Sequence, residues 1–394
     1  EGDSVRISRK KMAGYRLYGL LYRVFSLLPV DGNRAYFVMT HDSSDEGNCG
    51  VMKALFEKRG IKCDSLTRKE ASGAGFIVRS AYRLARSRFI FCDNTFLPLS
   101  CLKLRKGSTL TQLWHGTGTI KKFGQHVNEG ELKDLEARCG RNITHLIVSS
   151  PATKDIYAGC FGVPESKVRV LGLPRTDAFF KPDFAENART ALEMDFPALA
   201  GKTLVLYAPT FRDDKRNEKK QIDMIRSFAD SFLREMPENY CLGLRLHPFV
   251  ASMLEKKTAL DSASKKDPAV SGRIIDLSRY SGLNTLLGST DILITDYSSI
   301  IFEYSLLRRP MLFYAYDLDR FEGSDRGFYR DYRGYVPGPV FTDPDALLAA
   351  LKASAAQDGQ SAQDAASATD AFIADSYSFT DGHSAERLLK LLIS

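Results

Sequence analysis

The chain has 394 residues, more than one hydrophobic core usually organises, and its 44% hydrophobic and 26% charged residues exclude a disordered chain or a small stapled scaffold. Seven scattered cysteines (Cys49, Cys63, Cys92, Cys101, Cys139, Cys160 and Cys241), odd in number and without a C-x-x-C pair, argue against a disulfide framework or a zinc site and for a reducing cytosol. The net charge of +7 is modest, so where the charge lies says more than its sum.

Much of it lies at the amino terminus. Between Ser4 and Val30 there is no acidic residue, while Arg6, Arg9, Lys10, Lys11, Arg16 and Arg23 are basic. Leu17, Leu21, Val24 and Leu28, with Tyr18, Tyr22 and Phe25 beside them, recur at helical spacing, and Pro29 and Asp31-Gly32 end the run. A bilayer span needs about 20 apolar residues, so the segment is expected to lie on an anionic membrane surface as a basic amphipathic helix. The competing reading is a basic helix packed on its own domain.

From Arg34 onward, short apolar runs alternate with helix-like stretches: Ala35–Thr40, Phe89–Cys92, Leu110–Trp114, His145–Ser149 and Val168–Leu171. This is the pattern of a parallel sheet wrapped by helices. Asp177–Ala200 reads as a connection containing a short helix. A second series follows in Thr203–Ala208, Tyr240–His247, Arg273–Asp276, Asp291–Thr295 and Pro310–Phe313. Lys352–Asp370, rich in Ala, Ser, Asp and Gln, reads as a solvated helix and loop, and Ala385–Ile393 as a closing helix. Functional residues are expected beyond the carboxyl ends of the strands.

Three turns there carry chemistry. Leu110–Trp114 runs into His115-Gly116-Thr117-Gly118-Thr119, which places an imidazole suited to proton transfer at a strand mouth; a histidine bonded inside its turn is the plain alternative. Leu242–Leu246 closes as Arg245-Leu246-His247-Pro248, where strand alternation puts Arg245 and His247 on one face, toward a phosphate or, alternatively, with Arg245 paired to Asp276. Asp291–Thr295 leads through Asp296-Tyr297-Ser298-Ser299 into an apolar-faced helix, an anion site or an ordinary N-cap. Pro209-Thr210-Phe211-Arg212-Asp213 adds hydroxyl and guanidinium groups. Arg326–Tyr332 is an aromatic and charged loop that could hold a base or an acceptor, or simply pack. No Asp/Glu cluster has metal-ligand spacing, so no metal is assigned.

Taken together, Trp114–Thr117 with Lys121-Lys122-Phe123-Gly124, Gly172–Asp177, Tyr207–Asp213, Arg245–Pro248, Ile294–Ser299 and Arg326–Tyr332 resemble the CDP-glycerol glycerophosphotransferase family, the teichoic-acid and capsule polyol-phosphate transferases. The match runs from Leu20 to Phe341 in unbroken order. The resemblance implies an α/β fold with two Rossmann-like domains facing across a cleft (GT-B type). It divides the chain into a membrane-surface helix (1–30), an acceptor domain (31–176), a linker (177–200), a CDP-donor domain (201–345) and carboxy-terminal helices packing back toward the amino-terminal domain (346–394).

It also implies a CDP-glycerol or CDP-ribitol donor, no cofactor, and an acceptor on a membrane polyprenyl diphosphate, hence a peripheral place on the cytoplasmic face. His115 is then the base and His247 a donor-phosphate ligand, with Arg245, Thr210, Arg212, Asp296, Tyr297, Ser298 and Ser299 on the donor. Gly116, Thr117, Lys121, Arg326 and Tyr329 fall to the acceptor or its loop, and Arg9, Lys10, Lys11, Arg16 and Arg23 to the membrane. Gly118-Thr119-Ile120, where some relatives place Pro after W-H-G-T, and the absence of a large preceding domain favour the short, primase-like members. Thr176 replaces the usual Asn of a Pro-Arg-Asn-Asp motif, which puts any interdomain role of that position in question. A nucleotide-sugar glycosyltransferase and a non-catalytic membrane-associated assembly protein are the rival readings; a nucleic-acid binder is the least favoured.

Overall fold

The computed structural model describes residues 7–72, 75–210, 215–247, 250, 272–324, 327–355 and 360–393. The chain divides into two compact units, one holding residues through Phe180 together with those from Asp375 on, the other Lys181–Ala374. Expected site residues Arg212 and Arg326 lie outside the described residues, as does Pro248.

The first unit begins with helix α1 (Arg9–Phe25), capped by the Ser8 hydroxyl, which accepts from the Lys11 N–H. Its strands are β1 (Asp31–Met39), β2 (Lys62–Thr67), β3 (Ser87–Cys92), β4 (Thr109–Gln112), β5 (His145–Val148) and β6 (Val168–Val170). Between them run α2 (Asn48–Lys58), α3 (Phe76–Arg86), α4 (Gly130–Asn142) and α5 (Lys154–Phe161). All neighbouring strands are parallel, in the order β2-β1-β3-β4-β5-β6. Such strands are buried on both faces, which is why β1 and β3 read as near-continuous apolar runs.

One face of this sheet buries Phe37, Phe89 and Phe91 against Phe56 of α2 and against Leu388, Leu389 and Leu392 near the chain end. Fully burying each such side chain is worth about 1.5–3 kcal/mol. On the other face α1 packs against α3: Tyr18 and Tyr36 both hydrogen-bond the Ser80 hydroxyl, and the Tyr22 hydroxyl accepts from the Arg105 N–H. A Cβ at Gly19 would stand 2.2 Å from the Cys101 carbonyl oxygen, so the close approach of α1 requires glycine there.

The buried face of α1 is therefore Tyr18, Gly19 and Tyr22, not the leucine stripe that the periodicity singles out. Leu17, Leu20, Val24, Leu27 and Leu28 stay exposed, Leu27 to 86%.

The second unit opens with α6 (Phe184–Asp195) and carries β7 (Thr203–Ala208), α7 (Lys215–Glu235), β8 (Tyr240–Leu244), β9 (Ile274–Asp276), α8 (Leu283–Ser289), β10 (Ile292–Thr295), α9 (Ile300–Ser305) and β11 (Met311–Tyr314). It continues through α10 (Leu318–Ser324), α11 (Tyr332–Tyr335), β12 (Val340–Phe341), α12 (Pro344–Ala355) and α13 (Gln360–Ser376), whose last two residues fall to the first unit. The closing helix, α14 (Ser384–Ile393), belongs to the first unit. The second sheet is also parallel, in the order β12-β11-β10-β7-β8-β9. Its core joins Val205, Tyr207, Leu242, Ile292 and Ile294 to Phe228 and Phe232 of α7 and to Leu347 and Leu351 of α12.

The segment read as a connection is largely α6, which packs on α8: a Cβ at Gly288 would fall 2.8 Å from that of Ala188. Of the residues after 345, only those from Asp375 on join the first unit. Asp177 accepts the N–H groups of Ser384 and Ala385 and so caps the start of α14.

Candidate active site

Strand order fixes where each sheet can hold a ligand. In the first sheet the connections diverge between β1 and β3, and in the second between β7 and β10. The crevice beyond the carboxyl ends of such a pair is where open parallel sheets bind. His115 and the Asp296 turn both fall at these points.

In the first unit Trp114 follows β4 with φ of 53°, a left-handed conformation that costs a bulky residue roughly 1–3 kcal/mol. Its surroundings hold it there. The Trp114 N–H donates to the Gln112 side-chain oxygen at 2.9 Å, the Asn48 amide donates to the Trp114 carbonyl at 3.2 Å, and the indole stacks on Phe123 at 5.3 Å and meets Phe161 edge-on. The kink sends His115 back across the strand ends. Its Nδ1 lies 2.9 Å from the main-chain oxygen of Asp93, at the end of β3. A carbonyl only accepts, so Nδ1 carries the proton and a neutral ring keeps its lone pair on Nε2.

Two rings lie close to this imidazole: Trp114 with centroids 3.9 Å apart, and His41 at 3.6 Å and 13° from parallel. His41 stands in the turn after β1, and Asp93 builds that turn. The Asp93 carboxylate accepts the N–H groups of Thr40 (3.0 Å), His41 (3.2 Å to each oxygen) and Asp42 (2.8 Å). Arg175 completes the frame, donating to the His115 carbonyl at 3.0 Å while its own N–H reaches the Asn48 side-chain oxygen.

Burial, the neighbouring His41 ring and the Arg175 charge push the His115 pKa down to about 3, against the opposing bond to Asp93. Burial likewise lowers His41, and it raises Asp93 to about 6 despite the N–H bonds that favour its charged form. The site at rest is a neutral imidazole with one open nitrogen.

Two carbonyls of the W-H-G-T-G-T turn are tied into the fold. The Tyr157 hydroxyl donates to the Gly116 carbonyl at 2.6 Å and the Ser149 hydroxyl to that of Thr117 at 3.2 Å. Thr117 is buried; Lys121 is half-buried.

In the second unit β8 ends at Leu244, short of the expected His247, because the Leu246 N–H turns to the Ser278 hydroxyl at 3.0 Å. Arg245 and His247 therefore do not share a strand face. Arg245 is half-buried, its guanidinium on the carbonyls of Leu277 (3.4 Å) and Tyr280 (2.9 Å), whereas His247 is exposed.

Across the β7/β10 switch the Asp296 carboxylate accepts the Thr210 N–H at 2.8 Å, pinning one turn to the other. Tyr297 is fully buried, donates to Asp317 at 3.0 Å and packs among Phe321, Phe328 and Tyr332. Tyr332 in turn donates to the Asp296 carbonyl at 3.0 Å. Asp296 and Tyr297, expected on the donor, are thus inward-facing supports of the turn, and the described part of the aromatic loop packs around them. Ser298, Ser299 and Tyr329 remain half-buried. The helix after the serines, α9, has only six residues, too short for much of a dipole, so hydroxyls and backbone N–H groups must do most of any anion binding there.

Sequence reasoning missed His41, Asp93 and Asn48 and left Arg175 without a role. The first two stand at strand ends, the signal that found His115. Among the described residues no three His, Cys, Asp or Glu side chains converge as metal ligands.

Comparison with known proteins identifies the family and the fold. The sequence profile described as CDP-glycerol:poly(glycerophosphate) glycerophosphotransferase matches residues 20–394. The chain is 30% identical over 383 residues to the teichoic acid poly(ribitol-phosphate) polymerase of Bacillus spizizenii, covering 96% of itself and 59% of that protein. It is 30% identical over 397 residues to the teichoic acid ribitol-phosphate primase of the same organism, covering 96% and 95%. The chain thus spans little more than half of the polymerase and nearly all of the primase. The structure of the wall teichoic acid polymerase TagF superposes with a TM-score of 0.77 at 21% identity over 98% of this chain and 96% of that one, which shows the shared fold.

Proposed function

Because the chain belongs to the CDP-glycerol:poly(glycerophosphate) glycerophosphotransferase family, we propose that it transfers a polyol phosphate, glycerol phosphate foremost, from a CDP-polyol to an acceptor hydroxyl and releases CMP. The acceptor in this reading is carried on a membrane polyprenyl diphosphate, and the product is teichoic acid or a related surface polymer. The observation that carries the reading is His115, a neutral imidazole with Nδ1 occupied and Nε2 open at a switch point.

Nε2 takes the proton of the acceptor hydroxyl, the freed oxygen attacks the β-phosphorus, and the bond from that phosphorus to the bridging oxygen breaks as CMP departs. Arg245 and His247 offset charge on the moving phosphoryl group. Ser298 and Ser299 hold the phosphates, with the Thr210 turn, Arg212, Lys121, Arg326 and Tyr329 as further contacts. Asp296 and Tyr297 keep the donor turn in place. Positioning and electrostatics carry most of the rate in such a transfer. The base belongs to one unit and the donor groups to the other, a GT-B-type division of labour.

The test is product identity: CMP from CDP-glycerol or CDP-ribitol supports the reading, and a nucleoside diphosphate from a nucleotide sugar replaces it with glycosyl transfer.

We further propose that the outer face of α1 rests on an anionic membrane. In support, Leu17, Leu20, Val24 and Leu27 are exposed there, with Val78 and Tyr82 exposed on α3. The exposed Arg9, Lys10, Lys11, Arg16 and Arg23 lie on the same helix. Among the described residues no helix is long and apolar enough to cross a membrane. Flotation with vesicles containing phosphatidylglycerol tests this in L20S/V24S/L27S. Truncation does not, because Tyr18 and Tyr22 belong to the core.

A further inference from the structure

We propose that His41 is a positioning residue of this reaction: laid flat on His115 and tied down by Asp93, it holds the base imidazole in the single orientation that leaves Nε2 open. The inference rests on the function proposed above and adds to it a residue outside the motifs that carry the family resemblance.

Three observations converge on it. The first is the stack itself, with centroids 3.6 Å apart and planes within 13°. Trp114 lies 3.9 Å from the same imidazole, and two rings that close cannot share one of its faces, so His115 is held on both sides. The second is that one residue registers both histidines. Asp93 takes the His115 Nδ1–H on its main-chain oxygen and the N–H groups of Thr40, His41 and Asp42 on its carboxylate. The turn is further shaped by Asp42, which accepts from the Ser44 N–H and hydroxyl, and by Gly50, where a Cβ would stand 2.3 Å from the Ser44 carbonyl oxygen.

The third observation is cost. A buried carboxylate is expensive to keep, and this one serves a turn at the surface, where residue 41 is no part of the hydrophobic core. A turn built only for stability needs the backbone of residue 41 and not an imidazole.

Chemically, the stack does two things. It blocks rotation of His115 away from the Asp93 carbonyl, which would move the lone pair off Nε2. When Nε2 takes the acceptor proton, the new charge lies between the two ring faces with its Nδ1–H still on a carbonyl. The charged and titratable groups around the pair are Asp93 and Arg175 for His115, and Asp42, Arg68 and Arg175 for His41.

The experiment combines turnover with a measurement that needs none. CMP release is followed against pH for wild type, His41→Ala and His41→Phe, and 15N spectra of the histidine rings are recorded for the same three proteins. His41→Ala is expected to lower kcat about tenfold or more, as loss of orientation does, with KM for the CDP-polyol within about twofold and the acid limb of kcat moved to higher pH. His41→Phe, which keeps the stack, restores kcat to within about threefold of wild type. In the spectra, wild-type His115 shows one tautomer, with the proton on Nδ1, and His41→Ala shows a mixture.

An unchanged kcat in His41→Ala, or a loss that Phe does not restore, overturns the proposal. If wild type releases CMP from no donor, the function proposed above falls instead. The spectra then still decide about His41: a single tautomer surviving in His41→Ala sinks its positioning role, and a mixture keeps it.

Discussion

In the unit that carries His115, one nitrogen atom is fixed by a kinked tryptophan, two flanking rings, a carbonyl and an arginine. In the unit that carries Arg245 and the Asp296 turn, the side chains best placed for a ligand are half-buried or exposed, and the rigid groups lie behind them. Under the proposed reaction the difference follows from what each half must do. A proton acceptor works only if a single atom is aimed, whereas a diphosphate presents many oxygens and is held by several donors of looser geometry. The first unit thus spends backbone strain and a buried carboxylate on orientation, while the second spends Asp296, Tyr297 and Tyr332 on the shape of a turn.

Substitutions that treat the two halves differently break or sharpen this contrast. Asn48→Ala removes the amide that braces both the Trp114 carbonyl and the Arg175 N–H. It should lower kcat about 100-fold through misplaced orientation, with KM for the donor nearly constant in steady-state CMP release. Asp296→Ala, its counterpart, frees the Thr210 turn and should instead raise donor KM about tenfold; a pure kcat effect would erase the distinction between the halves.

Tyr297 separates support from contact. Tyr297→Ala empties a fully buried site and should cost about 3–5 kcal/mol in urea unfolding. Tyr297→Phe loses only the bond to Asp317, about 1 kcal/mol, and should leave donor KM unchanged; a large KM increase in the Phe variant would return Tyr297 to the donor.

The smallest effect is on stability against pH. His115 falls from 6.5 to about 3 on folding, so the native state binds fewer protons than the unfolded one in that window and stability is lost as pH falls through it. Asp93 has the opposite sign. Raised from 3.8 to about 6, it favours the fold in acid, and that contribution is lost as pH rises through about 6. Melting curves between pH 4 and 7 should therefore show a flatter acid decline in His115→Asn and a steeper one in Asp93→Asn than in wild type.

Among the described residues ten of the twelve strands are legible as apolar runs, and the two that are not explain themselves. In β2 only Leu66 is fully buried, so Lys62–Thr67 has no apolar run to read, and β12 is a two-residue edge strand. His115 was legible because it closes the apolar run Leu110–Trp114 that contains β4. Asp93 and His41 follow strands too, but only the order β2-β1-β3 makes them neighbours, and strand order is set by long-range packing that no local pattern encodes. The leucine stripe of α1, left exposed, shows the same limit. Periodicity reports that a helix has an apolar side, and it was the tyrosine hydroxyls, reaching Ser80 and the Arg105 N–H, that settled which side the protein took.

The central claim is that His115 is the base of a CDP-polyol phosphotransfer. The most direct measurement is acceptor-dependent CMP release from CDP-glycerol and CDP-ribitol, with a lipid-linked disaccharide as acceptor, bare or carrying one glycerol phosphate, for wild type and His115→Ala. CMP is expected from one donor only when the acceptor is present. In the variant a loss of about 10²–10⁴-fold is expected, the range of general-base catalysis, with the melting temperature retained. Equal CMP release by a folded His115→Ala protein would contradict it.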